Sequence, residues 1–142
     1  MRIADVLRSK GSSVATVPPW TTITELVAEL AKHNIGAVVV LTPEGVAGIV
    51  SERDVVRRLA ERGAELLGRP VSEIMTKVVV TCTPDDTVET LSVLMTERRV
   101  RHVPVIDDGR LAGIVSIGDV VKRQIDKLRE EQAQLEQYIT QG

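Results

Sequence analysis

The stretch Gly48-Ile49-Val50-Ser51-Glu52-Arg53-Asp54-Val55-Val56 returns almost letter for letter as Gly113-Ile114-Val115-Ser116-Ile117-Gly118-Asp119-Val120-Val121. The copies stand 65 residues apart (48 to 113) and differ only in the middle, Glu52-Arg53 against Ile117-Gly118. The same offset lays Thr16 on Thr81, Pro19 on Pro84, Thr22 on Thr87, Leu26 on Leu91, Val38 on Val103 and Val40 on Val105, with no gap needed. A repeat of this extent takes precedence over any local reading of the fold. The segments leading into each copy also match, IADVLRSK at residues 3–10 resembling VSEIMTK at residues 71–77.

Each copy reads as strand, helix, strand, strand, helix. Thr22-x-x-Glu25 in the first copy and Asp86-x-x-Glu89 in the second carry the pattern of a capped helix start, followed by Leu26, Val27 and Leu30 or Leu91, Leu94 and Met95 on one face. The helices are expected to end near His33-Asn34 and Arg98-Arg99. Two β-rich runs follow, residues 36–41 and 46–50, turning at Thr42 to Gly45; Asp107-Asp108-Gly109 makes the equivalent turn. The last helix of the first copy should stop near Gly63, and that of the second should run toward Tyr138. Residues 62–70, with two glycines and a proline, read as the connector. The expected division is 1–66, 67–125 and a helical tail at 126–142, an α/β (α+β) architecture.

Composition narrows the function. The chain has 142 residues, a formal net charge of −2, one cysteine and two aromatic residues, Trp20 and Tyr138. That balance gives no general attraction to nucleic acid, and without aromatics any bound base must rest on aliphatic side chains. A single cysteine allows neither an internal disulfide nor a zinc site of paired cysteines, and no metal is expected to be needed for the fold. The N-terminus shows no apolar signal region, and no apolar run reaches ~18 residues. The expectation is a cytoplasmic protein without a membrane partner.

The repeated phrase takes a strand directly into a helix, so helix N–H groups open at the strand's carboxyl end. Ser51 or Ser116 can cap that helix while Asp54 or Asp119 returns the bond, a capping box whose simplest role is punctuation. GIVSIG is no nucleophile elbow, since Gly113 lies three residues before Ser116, and no Walker A or G-x-G-x-x-G loop is present. His33 reads as a surface residue and Cys82 as a small buried one. No catalysis is expected.

Residues 38–56 (VVVLTPEGVAGIVSERDVV) and 103–121 (VPVIDDGRLAGIVSIGDVV) together resemble a tandem pair of CBS domains, a Bateman module, and the resemblance spans essentially the whole chain. It implies two β-α-β-β-α units packed about a pseudo-two-fold axis, with clefts that bind an adenosine-containing ligand: AMP foremost, or ATP, ADP, NAD or S-adenosylmethionine. It also implies that Asp54 and Asp119 accept from ribose hydroxyls beside Ser51 and Ser116. The clefts are then completed by Gly36, Ala37 and Val38 in the first copy, by Arg101, His102, Val103 and Pro104 in the second, and by Thr16 and Thr81. Arg53 and the Arg101-His102 pair, which lack counterparts in the other copy, are expected to face the phosphate, whereas Arg98 and Arg99 read as a solvated helix end. The family further suggests a homodimer acting on a regulated protein of unknown identity. In the tail, Val121, Leu128 and Leu135 are seven apart, as are Ile125, Gln132 and Ile139, a short coiled-coil seam.

Overall fold

The computed structural model describes residues 1–11, 14–77 and 80–141. A leading helix α1 (Ile3–Lys10) precedes β1 (Thr16–Val17), α2 (Ile23–His33), β2 (Ala37–Thr42), β3 (Gly45–Ser51) and α3 (Glu52–Arg62). Two short 3-10 turns, Gly63–Gly68 and Val71–Glu73, lead to β4 (Thr76–Lys77), α4 (Val88–Arg98), β5 (His102–Asp107), β6 (Arg110–Ser116) and α5 (Ile117–Gln141). The repeat therefore folds twice into the same helix, hairpin and helix.

Local chemistry sets the boundaries. Thr22 Oγ1 accepts from the Glu25 N–H at 3.2 Å while Glu25 Oε1 accepts from the Thr22 N–H, closing the capping box at α2. The second copy departs from the Asp86-x-x-Glu89 reading. Thr87 is the cap, accepting from the Thr90 N–H at 3.1 Å. Asp86 instead takes the Thr83 N–H at 2.8 Å, closing the turn that precedes it. That turn leaves the strand expected around Thr81 as a single bridge, Cys82 beside Val105. Both helices end on a left-handed residue, Asn34 at φ 51° and Arg99 at φ 55°. Replacing Arg99 by Gly should stabilise the fold by roughly 0.5–1 kcal/mol, read as a higher midpoint in urea.

The hairpins are superimposable in register: Val38 faces Val50 as Val103 faces Val115, and each slips at the same point, after Val40 and after Val105. Alternation then assigns the faces. Val38, Val40 and Val50 look outward to a core with Ile23, Leu26, Leu30 and Val55. Ala37, Val39 and Ile49 look inward and meet Leu111 and Ile114 of the second hairpin. Ile49 and Ile114 are repeat equivalents, as are Val46 and Leu111, so the two sheets meet about a pseudo-two-fold axis.

Packing does not follow chain order. Helix α1 carries Ile3, Val6 and Leu7 into the second copy's core, among Val88, Leu91, Met95, Val103 and Val115. Val71 and Ile74, which lead into the second copy, lie in the first core. The backbone repeats the exchange: Ile3 N donates to Asp86 O at 2.8 Å and Ala4 N to Pro84 O at 2.9 Å, while Val71 N donates to Thr21 O at 2.7 Å and Ser72 N to Pro19 O at 3.1 Å. β4 completes a sheet of order β1-β2-β3-β4 by pairing with β3. The connector also contributes, since Leu66 is fully buried in the first core.

This exchange explains the glycine that opens the repeated phrase. A Cβ on Gly48 would stand 2.7 Å from Thr76 O, and one on Gly113 would stand 2.7 Å from Leu7 Cδ2. Each glycine is the place where the other copy's lead-in crosses a strand. Gly48→Ala should destabilise by about 1–3 kcal/mol. Gly113→Ala should do so by less, because a leucine methyl can turn away and a carbonyl held in a sheet cannot. Urea unfolding of the two variants measures the difference.

Candidate functional site

The two repeated phrases build one end of the paired sheets. In the first copy Ser51 stands opposite Ala37 across the hairpin, and in the second Ser116 stands opposite His102. The first helical N–H of each phrase is already used: Glu52 N donates to Gly36 O at 2.9 Å and Ile117 N to Arg101 O at 2.8 Å. Asp54 and Asp119 then accept from the N–H of Ser51 and Ser116, both at 2.8 Å, and return their own N–H groups to the serine hydroxyls at 3.2 Å. The helix entrances are therefore tighter than the sequence implies, with most of their donors engaged in the capping boxes. What they present is carboxylate, half-buried and fixed in orientation.

The two carboxylates are not equivalent. Asp54 Oδ2 also accepts from Ser51 Oγ at 3.0 Å. Asp119 Oδ2 is instead held by Lys10 Nζ at 2.6 Å, and that ammonium also donates to Ile114 O at 2.9 Å. Burial, the largest single influence, pushes the Asp119 carboxyl up, but the Lys10 and Ser116 hydrogen bonds and the Lys10 charge outweigh it and hold it below the usual carboxylate range. Lys10 arrives at this place because α1 is exchanged into the second copy. With Val6, Ser9, Lys122 and Arg123 it lines a recess of about 50 Å³ beside Asp119.

His102 occupies the position where the first copy has buried Ala37. It is half-buried, and four charged groups act on it: Lys10 from α1, Asp119 from α5, Asp54 from α3 and Arg101 beside it on β5. Burial first, and then the Lys10 charge, depress its pKa; the two aspartates oppose them without prevailing. The imidazole is accordingly neutral at pH 7. Because the sheets pack face to face with both hairpin turns at one end, Ser51 and Ser116 bring the two repeated phrases to the other end.

The other expected residues are distributed less compactly. Val38 and Val103 are fully buried in the two cores, and Pro104 is buried on the same strand as Val103. Gly36 is half-buried with Glu52 Oε1 above it, 3.4 Å from where a Cβ would be. Arg53 and Arg101 are exposed near the helix entrances, as are Arg98 and Arg99 at the end of α4. Thr81 is exposed beside Cys82. Thr16 lies instead toward the hairpin turns, lining a cleft of about 350 Å³ with Val14, Leu41 and Val46 of the first copy and Ile106, Arg110 and Leu111 of the second. The walls of that cleft are mostly aliphatic, whereas Trp20 and Tyr138 stand about three-quarters exposed on the surface. Lys10 is the residue that sequence reasoning missed. The signal for it was its place at the end of a lead-in that matches residues 71–77.

Cys82 lies in the second core, where burial and then the nearby Asp86 push its thiol up to about 12. An alkylating reagent at pH 8 should leave it untouched in the folded protein and modify it rapidly in urea. His33 sits on the surface with Nε2 3.1 Å from Glu29 Oε2. Among the described residues no group of three or more His, Cys, Asp or Glu side chains is placed to hold a metal ion, and no helix is long and apolar enough to cross a membrane.

Two sheets joined about a pseudo-two-fold axis, each hairpin delivering a capped aspartate to one shared end, define a paired repeat module. The CBS domain family model matches the chain twice, over residues 3–61 and 71–126. The protein belongs to the CBS domain family. A relative, the CBS domain-containing protein CBSX3, mitochondrial, of Arabidopsis thaliana, is 39% identical over 99% of this chain and 72% of its own length. The crystal structure of the CBS-domain containing protein ATU1752 from Agrobacterium tumefaciens is 48% identical, with a TM-score of 0.82 over 87% of this chain and 99% of that one. Two further structures contain ligands. PAE2072 from Pyrobaculum aerophilum, complexed with AMP, is 31% identical at a TM-score of 0.73 over 84% of this chain and 89% of that one. The CBS domain pair of MJ0100, in complex with 5-methylthioadenosine and S-adenosyl-L-methionine, is 27% identical at 0.78 over 89% and 98%.

Proposed function

We propose that this chain is a regulatory module that binds an adenosine-containing ligand and reports energy or redox state through a ligand-dependent change in conformation, without catalysing a reaction. The observation that carries the reading is the placement of both capped aspartates at the same end of the paired sheets, with His102 opposite Ser116. Fixed carboxylates suit a ribose diol, and a neutral histidine beside Lys10 and Arg101, with exposed Arg53 at the entrance of α3, suits a phosphate. AMP fits best; ADP, ATP, NAD and S-adenosylmethionine share the adenosine that the aspartates would hold. The complexes of PAE2072 with AMP and of MJ0100 with S-adenosyl-L-methionine support this ligand class.

In this reading residues 1–66 and 67–125 supply one cleft each, and the protein works as a cytoplasmic homodimer on a protein partner, with no nucleic acid or membrane involved. Signalling requires the ligand to prefer one arrangement of the two copies, since equal affinity for both would shift nothing. The exchanged lead-ins offer a route, because a ligand that reorganises Asp119 must also move Lys10 and hence α1. Titration calorimetry with AMP, ADP, ATP, NAD, S-adenosylmethionine and adenosine tests the proposal, and binding of at least one nucleotide is the expected result. Silence from all of them, with no shift in melting temperature, would favour the second reading, a dimerisation scaffold whose clefts stay empty.

A further inference from the structure

Helix α5 continues past the second copy as an arm. Its 25 residues span about 37 Å, and only its base is tied down, through Gln124 Nε2 to Ser92 Oγ at 3.2 Å and Lys127 Nζ to Glu89 Oε1 at 3.7 Å. Every residue from Gln124 to Gln141 is exposed. Along one stripe stand Val121, Ile125, Leu128, Leu135 and Ile139, between 43% and 66% exposed. Gln132 fills the remaining core position of that heptad pattern. A helix held by so few contacts is marginal in water unless its apolar face is covered.

The charges on α5 say what covers it. Residues 122–129 carry Lys122, Arg123, Lys127 and Arg129 against a single Asp126, while residues 130–141 carry Glu130, Glu131 and Glu136 and no base. We propose that the stripe is occupied by α5 of a second copy lying antiparallel, so that the basic half of each helix covers the acidic half of the other. A parallel pair would bring acidic halves together, Glu131 of one copy against Glu136 of the other, in the flanking positions that select orientation. The antiparallel register that seats Val121 beside Ile139 and Ile125 beside Leu135 of the second copy also brings Lys122 near Glu136. The six core positions from Val121 to Ile139 span just under three heptads, a short seam whose pairing the rest of the module must support. The inference deepens the homodimer reading by assigning it a surface and an orientation, and it does not depend on any ligand.

Site-specific crosslinking of the full chain tests it, because buried Cys82 leaves introduced thiols as the reactive ones. Under mild oxidation Val121→Cys/Ile139→Cys should form covalent dimers in high yield, whereas Ile139→Cys alone should not, its two copies lying roughly 27 Å apart along an antiparallel pair. Light scattering of Leu128→Glu/Leu135→Glu should show half the mass of the parent; both positions lie outside the cores, so retained protection of Cys82 from alkylation would show the module intact. Self-crosslinking by Ile139→Cys would overturn the orientation. An unchanged mass in the Glu variant would overturn the use of α5 while leaving a homodimer through another face intact, and a monomeric parent would remove both.

Discussion

AMP should bind at least tenfold more tightly than adenosine, and His102→Ala should erase most of that difference. The expectation follows from where charge collects. Lys10 from the exchanged helix and Arg101 act on His102, and exposed Arg53 precedes Asp54 at the entrance of α3. A charge-assisted hydrogen bond to phosphate is worth about 1.5–3 kcal/mol, roughly tenfold to a hundredfold in affinity. The sign of the accompanying pH effect is fixed by the histidine. Burial and Lys10 hold its pKa below the ordinary 6.5, so the imidazole alone resists protonation, and its contribution to folding stability is lost as the pH drops through 6.5 toward the folded value. A phosphate arriving beside it favours the imidazolium, so binding should take up a proton near pH 6.5. Calorimetry in buffers of different ionisation enthalpy measures that uptake, and subtracting His102→Ala cancels the titration of the AMP phosphate itself. Equal affinities for AMP and adenosine in the parent would show the basic groups to be ordinary surface.

The second large effect is an inequality between the two aspartates. Asp54→Ala should weaken nucleotide binding by at least tenfold, whereas Asp119→Ala should weaken it by less. Asp54 is engaged only within its own capping box, so an oxygen remains for a ribose diol. Asp119 Oδ2 already holds Lys10 at 2.6 Å, so a ribose that reaches its other oxygen meets a carboxylate whose charge is partly neutralised. Lys10→Met should accordingly bring the two sites closer in affinity. Comparable losses in the two alanine variants would show that the Lys10 contact does not discriminate between the clefts. Both variants should fold, since each serine cap remains.

The repeat made most of this architecture legible. One offset predicted both hairpins, both helix pairs and the two capped aspartates, because spacing and turn chemistry survive in each copy. The choice between Asp86 and Thr87 as a cap was not legible, since either side chain can cap a helix, and only the turn at Thr83 draws Asp86 away. Nor was the exchange of lead-ins. A repeat shows that IADVLRSK and VSEIMTK are the same kind of segment, but not on which copy each one packs. The need for Gly48 and Gly113 was visible as identity, and its cause lies in backbone and side chains far away in sequence. Lys10 followed the same fate: the matched lead-ins mark residues 3–10 as a structural segment without showing that its lysine reaches Asp119, 109 residues later.

That exchange also imposes an order on synthesis. The first core can close once residues 69–77 have left the ribosome, because Val71, Ile74 and β4 belong to it. Helix α1 is made before the first core yet settles after it. Its partners Val103, Val115 and Val120 lie about a hundred residues downstream, and at roughly 5–20 residues per second that is a wait of about 5–20 s. Throughout it, Ile3, Val6 and Leu7 have no core to enter. The nascent chain must carry an unsatisfied apolar segment until then, and the docking of α1 and its lysine closes the second core.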